Sequence, residues 1–211
     1  MTRQRNRHPQ RGETLVGLLV GLALGLGVLA MGAQLLARLL AEQRQLQAQS
    51  RLQQDLHFVL ERIANDVQDA QYSASAWRSR DSSGCGDAFC NGLEDFSISE
   101  TGLVWSLDRN HNGVKDNNEC TGYRLRAGSL QQRSACQPET WVALSDPATL
   151  SLGGLSAKLQ CQVRAGWVQR QVQLRVQAQP PSRPNDAPWV LQQRVLLRND
   201  LPASAMAGVC R

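Results

Sequence analysis

The sequence predicts an α+β fold in which a long N-terminal helix packs on a β-rich, antiparallel head. Three features predict it: an uncharged apolar segment near the N-terminus, an amphipathic continuation of that segment, and alternating apolar and polar residues further along the chain. Because the chain has no proline between Pro9 and Pro138, no residue breaks a helix over about 14–71. We therefore divide the chain into a basic leader (1–12), a helix (13–71) and a head (72–211).

The first half of the predicted helix is apolar on every side. The segment from Thr14 to Ala37 contains no charged residue, and its roughly 24 residues give enough helix length to cross the hydrocarbon core of a bilayer. The leader before it carries only positive charge, from Arg3, Arg5, Arg7 and Arg11. Because positive flanks stay cytoplasmic, we expect a single-pass protein with its N-terminus inside and its head outside. An uncleaved signal anchor fits the same residues.

Three glycines recur at four-residue spacing inside this segment. Gly17, Gly21 and Gly25 share one face of the predicted helix. Small residues at this spacing let helix backbones approach one another closely in lipid, which predicts packing against other membrane helices. A monomeric anchor that tolerates glycine is the alternative.

The second half of the predicted helix is amphipathic. Its apolar positions are spaced to share one face and are Leu52, Leu56, Val59, Leu60, Ile63 and Val67. Polar and charged residues separate them, so this face needs a globular body to cover it. A sustained coiled coil is the alternative, but the Gln-rich stretch 43–49 is a poor heptad seam.

Residues 72–211 read as a β-rich head with a single core. In the segment 168–177 one set of positions alternates with polar residues, which is typical of a half-exposed strand; the set is Val168, Arg170, Val172, Leu174 and Val176. A second run covers Trp189 to Arg198, and the prolines between the two runs predict an antiparallel pair with a Pro-rich connection. Shorter strand candidates are Leu103–Leu107, Tyr123–Arg126 and Trp141–Leu144.

All six cysteines lie in the predicted outer part of the chain, which agrees with an oxidising compartment. They are Cys85, Cys90, Cys120, Cys136, Cys161 and Cys210. Six cysteines allow 15 pairings, among which a sequence cannot choose. Their order along the chain suggests Cys85–Cys90, Cys120–Cys136 and Cys161–Cys210. A zinc site is the alternative, but it needs CxxC pairs or spaced histidines, which this sequence lacks.

A 12-residue segment in the head matches the calcium-loop pattern D-x-[DN]-x-[DN]-G-x5-E. Its candidate Ca²⁺ ligands are Asp108, Asn110, Asn112, the Val114 carbonyl, Asp116 and Glu119, with Gly113 at the sharp turn. Lys115, Arg109 and His111 add positive or titratable groups to the same segment. A polar Asn-Gly hairpin turn is the alternative.

The remaining signals bear on partners and on catalysis. The net charge of +5 is concentrated in the leader and in residues 161–211, where seven arginines stand against two aspartates. A basic face with tryptophans favours DNA as an alternative partner, whereas a solvated face or an acidic neighbour explains it as well. The sequence has no GxSxG, no HExxH and no phosphate-cradling loop, so we do not expect an enzyme.

The segment Arg11-Gly12-Glu13-Thr14-Leu15-Val16 resembles the prepilin cleavage motif of type IV pilins and type II secretion pseudopilins. The resemblance implies that prepilin peptidase cuts between Gly12 and Glu13 and that the new N-terminus is methylated. It also implies an apolar helix that packs among other minor and major pilins. Two positions depart from the pattern: Glu13 replaces the usual Phe or Met, and Gly17 replaces the usual Glu.

Later residues are similar to PilW-type minor pilins and favour that group over J-type pseudopilins. They lie in the stretch 52–72 and in Gly122-Tyr123-Arg124-Leu125. The resemblance implies a minor pilin that helps to initiate or cap a type IV pilus-like filament. It also implies an inner-membrane protein with a periplasmic head that later reaches the filament or cell surface. The alternatives are a type II secretion pseudopilin and a membrane-anchored binding protein, including a DNA-binding subunit of a competence pilus.

Overall fold

The computed structural model describes residues 15–90, 92–148, 150–179, 187–206 and residue 210. The leader, the Gly12–Glu13 bond and most of the Pro-rich connection lie outside the described residues. The chain divides into two compact units, Met1–Ala48 and Gln49–Arg211. One helix, α1, runs through the boundary between the two units.

Helix α1 spans Leu15–Gln68 without interruption, which confirms the predicted long N-terminal helix. In the first unit the apolar side chains of α1 are exposed. Leu15 and Leu29, for example, have exposed fractions of 76% and 69%. By length and composition α1 is able to cross a membrane, and it is the one such helix in the part of the chain that the structure describes. The helix ends three residues before the predicted boundary. Gln71 adopts a left-handed conformation (φ 59°) just beyond that end, as is common after helices.

The second half of α1 buries the face that the sequence predicts. Its buried residues are Leu52, Leu56, Val59, Leu60, Ile63, Ala64 and Val67. All seven belong to a core that also contains side chains from both large sheets of the head. The amphipathic spacing was therefore a correct guide to the covered face, and the head supplies the apolar surface that covers it.

The rest of the head is built from antiparallel sheets. A short helix, α2 (Ala76–Ser79), comes first. The strands that follow it are β1 (Arg80–Asp81), β2 (Gly84–Cys85), β3 (Phe96–Ser99), β4 (Gly102–Ser106), β5 (Cys120–Arg126), β6 (Ser129–Ala135) and β7 (Thr140–Ala143). Strands β1 and β2 form a small pair, and the other five form a sheet of order β3-β4-β5-β6-β7. The three short strands predicted from the sequence correspond to β4, β5 and β7.

A second large sheet surrounds the strand with the clearest alternation. Its strands are β8 (Leu152–Arg164), β9 (Trp167–Ala178), β10 (Trp189–Leu196) and β11 (Leu201–Pro202). Strand β9 pairs with β8 on one side and with β10 and β11 on the other, always antiparallel. The predicted antiparallel pair is therefore present as β9 and β10. Strand β8 was not predicted, because two adjacent glycines and an irregular mixture of polar and apolar residues hide its alternation.

The structure joins the six cysteines as Cys85–Cys90, Cys120–Cys136 and Cys161–Cys210. These are the pairs that the order of the cysteines along the chain suggests. The third bridge closes the longest loop, with a separation of 49 residues. It joins Cys210 to β8, next to a small apolar cluster that includes Val168 and Leu201.

We predict that all six thiols are oxidised in the protein isolated from its native membrane. Each bridge constrains the unfolded chain and stabilises the head by about 2–4 kcal/mol. Mass spectrometry after thiol alkylation of the denatured, unreduced protein should find no labelled cysteine, and full labelling after reduction is the control. Stoichiometric labelling before reduction would place the head in a reducing compartment and contradict the proposed topology.

Candidate functional site

The calcium-pattern segment forms the connection between β4 and β5. A 3₁₀ turn at Asn117–Glu119 precedes β5. The backbone closes the loop at its base, where the Leu107 N–H donates to the Glu119 carbonyl at 3.0 Å. The Asp108 N–H donates to the Tyr72 carbonyl at 2.9 Å, which attaches the loop to the chain just after α1. The connection is a long, anchored loop and not a tight two-residue turn.

Gly113 occupies the position of the sharp turn in this loop. Its φ of +74° lies in the left-handed region that glycine adopts readily. A side chain there would also meet Ser75, since the Ser75 Oγ lies 3.4 Å from where a Cβ would be. The turn therefore favours glycine for its backbone conformation, whereas the contact with Ser75 would be an ordinary one.

Asp108, the first residue of the pattern, is buried with only 1% of its surface exposed. Its Oδ2 accepts hydrogen bonds from the backbone N–H groups of Ala74 and Gly113, each at 3.0 Å. Its Oδ1 has no hydrogen-bond partner among the described residues. A buried carboxylate oxygen without a donor is costly, so this atom marks a position that lacks a positive or proton-donating group.

Glu119, the last residue of the pattern, is fully buried. Its Oε1 accepts from the N–H groups of Arg109 at 2.7 Å and Asn110 at 3.3 Å. Its Oε2 accepts from the N–H of Asp116 at 2.9 Å, so the side chain caps the 3₁₀ turn as well. Glu119 thus holds both ends of the loop together through backbone donors.

The middle of the loop carries three polar side chains that contact one another, the exposed Asn110 and Asn112 and the half-buried Asp116. The amide nitrogens of Asn110 and Asn112 donate to Asp116 Oδ2 at 2.7 and 3.1 Å. The amide oxygens of the two asparagines accept from the N–H groups of Asn112 and Val114 at 3.0 and 2.7 Å. The loop therefore gathers oxygen atoms from all the predicted side chains, although several of them already accept hydrogen bonds.

Two positive or titratable groups of the loop, Lys115 and His111, have partners outside it. Lys115 Nζ lies 2.5 Å from Asp95 Oδ1, which is a partly buried ion pair. The His111 ring packs edge-on against Tyr72, with 5.4 Å between ring centroids. The position that departs most from the calcium pattern, Lys115, thus neutralises a carboxylate other than those of the pattern.

The loop carboxylates do not by themselves form a tight cluster. In the described part of the chain, one group of three potential ligand residues has its atoms within 4.8 Å of one another: Cys85, Asp87 and Cys90. Both sulfurs of that group belong to a disulfide, so they are not available as thiolate ligands. Asp108, Asp116 and Glu119 do not meet this distance as a set of three, so a cation bound directly by all three carboxylates would require them to move closer together.

A buried polar network at the end of α1 is a feature that the sequence reasoning missed. The Arg80 guanidinium binds the Asp87 carboxylate through two nitrogens, at 2.5 and 3.2 Å, and donates to the Gln71 carbonyl at 2.7 Å. The side chains of Arg80 and Asp87 are only 3% and 2% exposed. Because a short hairpin, β1 and β2, separates the two residues, no helical or strand spacing rule indicates the pair.

Arg170 of β9 joins the same network from the other side. It is fully buried, donates to the Gln71 amide oxygen and to the Asn199 carbonyl, and lies over the Phe96 ring. Burial, followed by the nearby Arg80 cation, lowers the pKa of Arg170 to about 10. The sequence did contain a signal here, since Arg170 occupies an inward position of an alternating strand.

A second polar contact joins α1 to the five-stranded sheet. The Tyr123 hydroxyl donates to Asp66 and accepts from Arg62 Nε at 3.4 Å. Burial, and then the hydrogen bond to Asp66, raise the pKa of Tyr123. Tyr123 therefore stays protonated and keeps its role as donor over the physiological pH range.

The glycines of α1 and the basic residues of the second sheet were also predicted to contact partners, and they are more exposed. Within α1, a Cβ added at Gly21 or Gly25 would meet no atom within 4 Å, so this glycine face is open. Apart from the buried Arg170, the basic residues of the second sheet lie on its outer face, where Lys158 and Arg194 flank Gln173 across three strands. Strands β8, β9 and β10 contain no acidic residue.

A scan against protein-family models matches residues 45–197 to the family described as prepilin peptidase-dependent protein B. The match covers well over half of the chain. The chain belongs to the prepilin peptidase-dependent protein B family. Membership makes it a type IV pilin-related protein, as the sequence suggested, whereas the finer PilW-type grouping stays a prediction. A search of curated proteins and a search of solved structures each found no match.

The family match and the predicted cleavage motif are separate observations. The matched region begins at residue 45, well after Gly12 and Glu13, and contains the buried face of α1 and nearly all of the head. The motif at 11–16 therefore contributed nothing to the match. Two independent parts of the chain thus indicate the same class of protein.

Proposed function

We propose that this protein is a minor pilin that helps to initiate or cap assembly of a type IV pilus-like filament. One observation carries the proposal: a single chain combines the family match over residues 45–197 with a Gly12–Glu13 junction placed directly before a helix of 54 residues. An ordinary signal anchor explains the apolar segment but neither the matched head nor the motif before the helix.

Under this proposal the two halves of α1 have different tasks. The uncharged first half crosses the inner membrane and then packs among the helices of other pilins, with Gly17, Gly21 and Gly25 allowing close approach. The second half carries the head through its buried face. The basic leader keeps the N-terminus cytoplasmic, so the disulfide-bonded head folds in the periplasm.

The residue at position 17 supports a place at the end of a filament. In pilins a Glu at this position is thought to pair with the N-terminal amine of a neighbouring subunit, and Gly17 has no side chain to do so. An N-terminal amine left unpaired in an apolar filament core costs free energy. A subunit that lacks the Glu therefore fits best at a position where no neighbouring amine needs a partner. A tip subunit meets this condition, and it is consistent with initiation or capping.

We predict that the leader is removed between Gly12 and Glu13. Substituting Gly12→Leu places a bulky side chain at the scissile bond and should leave the leader attached. The control Asn6→Leu places the same side chain inside the leader, away from the bond, and should be processed normally. Mass spectrometry of the membrane-extracted wild type and control should identify Glu13 as the N-terminal residue.

The alternatives give different results in the same experiment. A bare membrane-anchored binding protein would retain Arg3 and Arg7 in the wild type, which would refute the pilin proposal. A type II secretion pseudopilin would be cleaved in the same way. Co-isolation with sheared surface filaments, rather than with the secretion machinery, then separates the two kinds of pilin.

A further inference from the structure

We infer that the loop from Asp108 to Glu119 is a calcium site that stabilises the junction between the end of α1 and the head. The structural observation behind this inference is Asp108 Oδ1, a buried carboxylate oxygen without a partner in the described structure. The other oxygen of the same carboxylate accepts from the N–H groups of Gly113 in the loop and of Ala74 in the segment after α1, so the carboxylate lies where the two meet. Oδ1 is the oxygen left for a cation at this place.

The sequence positions of the other oxygens match a single cation. Asp108 is followed by Asn110, Asn112 and the Val114 carbonyl at alternate positions, and Glu119 closes the loop at position 12. A calcium loop uses this set, with glycine at position 6, where Gly113 has the required left-handed conformation. The calcium-loop pattern and the unpartnered Asp108 Oδ1 are independent observations. The pattern concerns residue types, whereas the oxygen lacks a hydrogen-bond partner in the described structure.

The charge balance of the loop also favours a cation. Asp108 and Glu119 are both buried, and like charges held in one small loop disfavour each other unless a positive charge compensates them. Lys115, a basic side chain of the loop, is paired with Asp95 instead. Backbone N–H groups compensate Glu119 and one oxygen of Asp108, which leaves Asp108 Oδ1 for an external positive charge.

The ligand chemistry selects calcium among common cations. All the candidate donors are oxygens, which excludes a preference for zinc or copper. A flexible loop that offers six or more oxygens suits Ca²⁺, whereas Mg²⁺ demands a strict octahedron and keeps most of its waters. The asparagine oxygens each accept one hydrogen bond in the structure, and a carbonyl oxygen has a second lone pair for a metal.

Binding would have to contract the loop. Asp116 now accepts from two asparagine amides, and the three carboxylates are not within 4.8 Å of one another. Part of the binding energy is consequently spent on this rearrangement. We expect a dissociation constant on the order of 10⁻⁴–10⁻³ M, as in extracellular calcium modules. Such a site fills only outside the cytoplasm, which fits the proposed location of the head.

The test uses the full-length protein in detergent, with calcium and magnesium as separate probes. Isothermal titration should show one calcium ion bound per chain. The melting temperature in 10 mM calcium should exceed that in chelator by about 3–7 °C, because ligand binding to the folded state raises its stability. Magnesium at the same concentration should give a smaller shift.

One variant tests the orphaned oxygen directly. In Asp108→Asn the amide oxygen still accepts from Ala74 and Gly113, while the amide nitrogen replaces Oδ1 and presents hydrogens to the cation. This variant should fold in chelator and lose the calcium-dependent shift. The matched control Asp81→Asn alters an exposed carboxylate outside the loop and should keep the full shift.

A second variant covers the case in which Asp108→Asn does not fold. Asn112 is exposed, so Asn112→Ala should fold and weaken calcium binding by about tenfold or more through loss of one ligand. The inference is overturned if the wild type shows neither calcium heat nor a calcium-dependent shift. It is equally overturned if Asn112→Ala, or a folded Asp108→Asn, binds calcium like the wild type.

Discussion

Replacing Asp87 by alanine should lower the free energy of unfolding by about 3–5 kcal/mol, because it leaves the Arg80 guanidinium buried without its carboxylate. Both side chains are nearly inaccessible to water. Arg80 also holds the Gln71 carbonyl just beyond the end of α1, so the loss would spread to the helix–head junction. Urea unfolding of the full-length protein in detergent, followed by tryptophan fluorescence, measures the change.

The exposed ion pair between Arg198 and Asp69 provides a matched control. Its atoms are 3.1 Å apart, but the two side chains are 66% and 49% exposed. Asp69→Ala removes the same kind of contact in water and should cost less than about 1 kcal/mol. Similar losses for Asp87→Ala and Asp69→Ala would show that burial does not set the value of the Arg80–Asp87 pair.

The buried Arg80–Asp87 pair is also an example of a contact that the sequence does not indicate. The positions of Arg80 and Asp87 carry no periodic signal, and both residue types are usually exposed. Their burial follows from the way β1, the segment after α1 and strand β9 meet. Arg170 is the exception, because an arginine at an inward position of an alternating strand is itself a sequence signal for a buried polar partner.

The regular elements were easier to predict because their signals are local. The spacing of Leu52, Leu56 and Leu60 identified the covered face of α1, and strict alternation identified β9. Strands β6 and β8 were missed because their residues do not alternate cleanly. They are strands because neighbouring strands β5 and β9 supply hydrogen bonds and apolar contacts along their length.

The loop at 108–119 was partly predictable, unlike the buried Arg80–Asp87 pair, but less predictable than the helix and strands. The pattern of residue types predicts a set of ligands for one cation, which stays a prediction, and the structure shows Asn110 and Asn112 in contact with Asp116. The partner of Lys115, the capping role of Glu119 and the unpartnered oxygen of Asp108 depend on contacts with Asp95 and with residues 72–75. Such contacts join segments that are distant along the chain, so no local pattern specifies them.

Replacing Leu56 by alanine should cost about 2–5 kcal/mol of unfolding free energy, since the residue is completely buried and its loss leaves a cavity in the core. Phe58, two residues along the same helix, is 66% exposed and serves as the control. Phe58→Ala removes a larger side chain from the opposite side of α1 and should change the free energy by no more than about 0.5 kcal/mol.

The comparison tests the packing of α1 on the head and not merely helix formation. Alanine is a better helix former than either residue, so any intrinsic effect on the helix is favourable in both variants. If the head covers the face that contains Leu56, only Leu56→Ala moves the urea midpoint markedly. If the amphipathic half of α1 instead packed in a coiled coil with another chain, the loss would depend on protein concentration. If unfolding free energy is lost only in Leu56→Ala, and by the same amount at every protein concentration, then α1 packs on the head of its own chain, as it does in the structure.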